Sequence, residues 1–208
     1  MTGGPEPSAP LPRAAGRTPA LLDRGAIFAG WVGLGMALII AISFELIVAV
    51  QPLVFLAAPL AGVLIGYYAN QRSMRWRPRR RVLVNATYAG LMTGIGLAVI
   101  YVAIRLLFVY ADSGFRPVPM GGQLECRTGP ECTFARLVAE GHAPDLAEAG
   151  ITDAATFEAA VLREQADGAL WIIGLTTLGA MAASGVRAGR RPPEERPAPP
   201  ADVELEAG

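Results

Sequence analysis

The sequence has no lysine, a single histidine, His142, and only two cysteines, Cys126 and Cys132. One imidazole and one thiol pair cannot supply the all-Cys/His four-ligand shell of a structural zinc site. Nor are the cysteines spaced as the C-x-x-C of a redox-active dithiol. Charged residues make up 17% of the 208-residue chain, against the usual quarter. With a positive mean hydropathy, this excludes an ordinary soluble domain. The 18 arginines and 18 acids cancel, so nothing in the overall charge favours a nucleic-acid partner. A nucleophile–base–orienter set, a paired-carboxylate site and a phosphate-cradling glycine loop are all missing. What abounds is apolar: 52% of residues are hydrophobic, though only 7% are aromatic.

Four apolar runs carry that excess: Ala26–Val50 with one charge, Glu45; Pro52–Ala69 with none; Val82–Tyr110 with one, Arg105; and Ala169–Val186 with none. At 1.5 Å per residue such helices reach roughly 27 to 44 Å, enough for a hydrocarbon core of about 30 Å, the longer ones tilted. A buried helix of a soluble protein rarely runs so far without a polar stripe. The expected fold is therefore an all-α integral membrane protein with four transmembrane helices, over 26–50, 52–69, 82–110 and 168–187. The first run ends with Val48 and Val50 where a cleavage site needs small residues, so it reads as a retained anchor rather than a signal peptide.

Arginine placement sets the expected orientation. Residues 1–25 carry Arg13, Arg17 and Arg24, and the loop 70–81 carries Arg72, Arg75, Arg77, Arg79, Arg80 and Arg81 with no acid. The tail 188–208 begins near Arg187, Arg190 and Arg191, whereas 111–167 holds ten acids against four arginines. Arginine near span ends stays cytoplasmic. Both termini and the arginine loop are thus expected inside a cell membrane, with the acidic segment outside. The proline-rich termini have too little apolar content to fold and read as disordered. The arginine loop, with Trp76 within it, serves as topology determinant and meets anionic lipid headgroups.

Within the spans, Gln51-Pro52 predicts a tight turn and Pro59 a kink. Gly62 and Gly66, and Gly90 and Gly94, recur at the spacing that lets helix backbones approach. They fit either internal packing of the bundle or a homodimer face. Glu45 and Arg105 each lie five residues before the same end of their spans, roughly 8 Å below the boundary. Opposite charges at one depth predict an intramembrane ion pair; snorkelling to the interface is the alternative.

The external segment is too short for a strong core of its own. Cys126 and Cys132 flank Gly129-Pro130, a turn that brings them together, and outside the cytoplasm they are expected as a disulfide. Thr133 is read as the cap of a helix ending at Gly141, Pro144 as the start of one ending at Gly150, and Thr152 as the cap of Asp153–Ala166. Leu146, Ile151, Phe157 and Val161 are read as a small apolar cluster over the bundle. The stretch 146–152 has the flavour of a helix-hairpin-helix, but its acidic, external setting favours an ordinary αα-hairpin.

With no His, Cys or Asp in the spans, an enzyme is not expected, nor a cofactor or metal. The functional expectation is an accessory or scaffold membrane protein, working through a membrane-protein partner or as a homo-oligomer. The alternative is a small transporter or channel subunit acting as an oligomer, with Glu45, Arg105, Asn85, Thr87 and Thr93 as polar-path candidates.

Overall fold

The computed structural model describes residues 22–47, 52–71 and 78–189, and every regular element among them is helical. Helix α1 spans Arg24–Ile42 and continues as a wide π-helical turn, Ser43–Ile47. Helix α2 spans Pro52–Gln71 and α3 spans Arg79–Tyr110. A short 3-10 turn, Val118–Met120, precedes α4, Pro130–Leu137. A second π-helical turn, Val138–His142, leads to α5, Ala143–Glu148, and α6 runs unbroken over Ala154–Gly189. Helices α1, α2, α3 and α6 are each long and apolar enough to cross a membrane.

The four long helices form one bundle in which α2 and α3 touch each other and both flanking helices, with α1 on one side and α6 on the other. Its interior is rich in alanine. At the end near the chain's arginine loop, Ala26, Ala29, Ile65, Ala69, Ala86, Ala89 and Ala180 pack together. At the end carrying residues 111–153, Ala37, Ala41, Val54, Ala58, Leu97, Ala98, Tyr101 and Ile172 do so. Large apolar side chains such as Trp31, Ile39, Leu60 and Leu170 point outward instead, the reverse of a water-soluble bundle.

The paired glycines explain how α6 seats itself. A methyl on Gly62 would collide with the Thr176 carbonyl, and one on Gly66 with that of Ala180. On α3, a methyl on Gly90 would stand 2.8 Å from the Ala180 Cβ, and one on Gly94 3.0 Å from the Ile173 Cα. All four glycines therefore face α6 inside the bundle, where backbones approach closely enough to gain dispersion contacts. Helix α2 continues through Pro59, whose carbonyl lies against Gly179 of α6.

Several boundaries differ from the apolar runs. Helix α1 starts at Arg24 and gives way at Ser43 to the π turn, α2 extends to Gln71, and α3 includes Arg79, Arg80 and Arg81, which the sequence placed in the loop. Hydropathy marks where side chains become apolar, whereas helical hydrogen bonding continues past that point. Separate helices over 153–166 and 168–187 are in fact the single α6, in which Gly168 seats against Tyr101, 3.3 Å from the ring to a methyl built on it. Gln51, Arg72, Arg75, Arg77 and the terminal regions 1–21 and 190–208 lie outside the described residues.

The segment between α3 and α6 is pinned to the end of α3. Cys126 and Cys132 are joined by a disulfide. Gly114, at φ +71°, runs so close that a methyl there would sit 2.7 Å from the Cys126 Sγ, a position only glycine fills without strain. Asp112 gathers the neighbouring strands of chain: Oδ1 accepts the Gly114 N–H at 2.8 Å, Oδ2 accepts Arg136 Nε at 3.0 Å and Nη2 at 2.8 Å, and its carbonyl accepts the Gly129 N–H at 2.9 Å. Partial burial pushes the Asp112 carboxyl up, but the Gly114 N–H and the Arg136 guanidinium outweigh it and hold it below the usual carboxylate range.

Two expected caps are corrected. Helix α4 starts at Pro130, so Thr133 lies inside it and its hydroxyl donates to the Val109 carbonyl at 3.1 Å, tying α4 to α3. The cap of α6 is Asp153, not Thr152: Asp153 Oδ1 accepts the Thr156 N–H at 2.8 Å, while Thr156 Oγ1 accepts the Asp153 N–H at 3.1 Å. Phe157 is buried with Phe134 as its ring partner, centroids 6.1 Å apart, whereas Leu146, Ile151 and Val161 are only half-buried.

Candidate functional site

Near the capped end, the four long helices converge on one polar layer. The π turn after α1 holds Glu45, whose side chain is 4% exposed, and α3 holds Arg105. Arg105 Nε lies 2.9 Å from Glu45 Oε2. The Nε–H is not aligned on the carboxylate, so the contact is Coulombic rather than a straight hydrogen bond. One turn back along α3, the Tyr101 ring lies under the guanidinium, 5.8 Å from centroid to Cζ, within cation–π range. Phe55 of α2 meets Tyr101 edge-on at 6.0 Å, and Gly168 of α6 closes the other side.

The layer is polar beyond its ion pair. Glu45 Oε1, Arg105 Nη2 and, on α6, Gln165 Oε1 are buried with no hydrogen-bond partner among the described residues. The pair thus presents one unused carboxylate oxygen and two guanidinium nitrogens, Nε and Nη2, without a hydrogen-bond acceptor among the described residues. The π turn is the local device that places Glu45: an extra residue per turn shifts the register of the chain beyond it, and such turns recur at functional positions.

The sequence's other polar candidates go elsewhere. Asn85 is fully buried at the opposite end, where its Nδ2 donates to Asp23 Oδ2 at 2.7 Å and its Oδ1 accepts the Asp23 N–H at 3.2 Å. This reciprocal clamp fastens the start of α1 to α3, and the Asp23 carbonyl also accepts the Ala26 N–H. Sequence reasoning did not single out Asp23; an acid just ahead of an apolar helix was the available signal. Thr93 donates to the Ala89 carbonyl of its own helix at 2.8 Å, and Thr87 is half-buried on α3. Arg79, Arg80 and Arg81 occupy the first turn of α3, the first two exposed. His142 is exposed, its Nδ1 3.4 Å from Asp145 Oδ2. Among the described residues, no group of three His, Cys, Asp or Glu stands close enough to hold a metal ion.

Comparison with known proteins gives no matching family model, no matching curated protein and no matching solved structure.

Proposed function

We propose that the protein is a four-pass integral membrane protein of the cell membrane that acts as an accessory or scaffold protein, and not as an enzyme. Both termini and the arginine turn lie in the cytoplasm, where the arginines meet anionic headgroups, and the disulfide-bonded segment lies outside. Four long apolar helices with outward-facing large side chains support insertion; arginine asymmetry supports the orientation.

The observation that carries the scaffold reading is the inward turn of the bundle's hydroxyls. Thr93, Thr176, Thr177 and Ser184 donate to the carbonyls of Ala89, Ile172, Ile173 and Met181 in their own helices. Hydroxyls spent on backbone acceptors do not line a polar path. On the capped side, Phe115, Val118 and Met120 stand exposed on a loop whose neck is tied by the Gly114 carbonyl and the Leu124 N–H at 3.1 Å. Such a fixed apolar tip suits a membrane-protein partner. A photo-crosslinking residue at Val118, activated in native membranes, should give one recurrent protein adduct, absent when the crosslinker is moved to Gly150.

The unused polar atoms of Glu45 and Arg105 favour a second reading, a transporter or channel subunit acting as an oligomer. Its test is flux into proteoliposomes above a protein-free control, abolished by Glu45→Gln in a bundle that remains folded.

A further inference from the structure

Beside the ion pair, a groove of about 470 Å³ opens on the flank of the bundle. A role for it rests on the protein being embedded in a membrane, as proposed. Phe55, Tyr101 and Trp171 line it, together with Arg163, Glu164 and Asp167 of α6. Among the described residues none of these three charged side chains forms an ion pair. One cation and two anions therefore face a cavity whose remaining wall is largely aromatic.

At 3.6 residues per turn, Arg163, Asp167, Trp171, Gly174 and Leu178 follow one another along a single stripe of α6. The stripe changes from charged to apolar after Asp167. Trp171 and Leu178 are 66% and 63% exposed. Between them a methyl built on Gly174 would meet nothing within 4 Å, so the stripe carries a shallow open notch below the indole. A polar head followed by an apolar track is the outline of an amphiphile. The switch lies where a tryptophan marks the interface depth.

We propose that this groove binds one outer-leaflet phospholipid with a zwitterionic, amine-bearing headgroup. Its phosphate pairs with Arg163, its ammonium lies between Glu164, Asp167 and the aromatic rings, and one acyl chain runs along Trp171, Gly174 and Leu178. Charge complementarity selects this occupant. A headgroup with only a phosphate would face two carboxylates, and a free organic cation would leave Arg163 and the apolar track unmatched. Aromatic rings beside carboxylates attract an ammonium, and more so a methylated one.

The test uses full-length protein in vesicles with Trp31→Phe and Trp76→Phe, leaving Trp171 as the only tryptophan. Lipids brominated on the acyl chain are added as phosphatidylcholine or as phosphatidylglycerol at equal mole fraction. The choline lipid should quench Trp171 at a several-fold lower mole fraction than the glycerol lipid. Glu164→Gln with Asp167→Asn should remove that preference, and Gly174→Leu should weaken quenching by both lipids. Equal quenching by the two lipids, or a preference untouched by the carboxylate variants, overturns the lipid site alone, provided the protein resists alkaline carbonate extraction. Protein released by the carbonate wash overturns the membrane reading, and the site with it.

Discussion

Among the described residues Glu45 and Arg105 are each other's charged partner, and that fixes how their substitutions should behave. Removing one member of a buried pair leaves the other charge uncompensated, at a cost of about 3–5 kcal/mol; Arg105, 23% exposed, places this pair toward the lower figure. Glu45→Gln and Arg105→Gln should each lower the melting temperature in detergent, and the double variant should lose less than the sum of the two. Strictly additive losses would show that the pair carries no coupling energy. Asp112 makes a prediction about pH. Its carboxyl is held below the usual range by Gly114 and Arg136 despite partial burial, so its contribution is full above the unfolded value of about 3.9 and disappears as pH falls through the lower folded value. Asp112→Asn should cost about 1.5–3 kcal/mol at neutral pH. Melting curves of the variant and the parent should converge as pH drops below about 4.

Among the elements, α6 organises the rest, since α2 and α3 both pack on it through glycines. Gly66→Val should therefore strip the bundle of its α2–α6 contact, because the new side chain meets the backbone of Ala180 rather than a movable side chain. Gly35→Ala is the control: a methyl there meets nothing within 4 Å, and the gain in helix propensity should stabilise by up to about 1 kcal/mol. Thermal unfolding in detergent separates the two. The four long helices and the depth match of Glu45 with Arg105 were legible in the sequence because apolar runs and lone charges are strong, local signals. Less legible was the continuity of α6, since the charged stretch 163–167 looks like a helix end while Asp153 caps a helix that simply runs on. The π turn at Ser43–Ile47 has no periodic signature at all. The Asp23–Asn85 clamp joins residues 62 apart in the chain, a pairing that no helical spacing encodes.

For the molecule as a whole, orientation and redox state are one question. The disulfide of Cys126 and Cys132 persists only where thiols are not kept reduced, and the proposed orientation, read from arginine placement, has its segment on that side. Gly141, exposed and at φ +95° where the π turn breaks helical geometry, is a suitable fusion point because an insertion there disturbs no packed side chain. A reporter active only outside the cytoplasm should work after Gly141 and fail after Met74 or Gly208. In the same membranes, a thiol-reactive mass tag should label neither cysteine until reductant is added. An inverted reporter pattern together with two free thiols would reverse the topology. Free thiols with the expected reporter pattern would leave the topology intact and remove the disulfide's role in tying the segment. Gly114→Ala supplies the structural counterpart: crowding of Cys126 Sγ by the new methyl, at a φ that disfavours alanine, should make the disulfide reducible at lower reductant concentration without changing the reporter pattern.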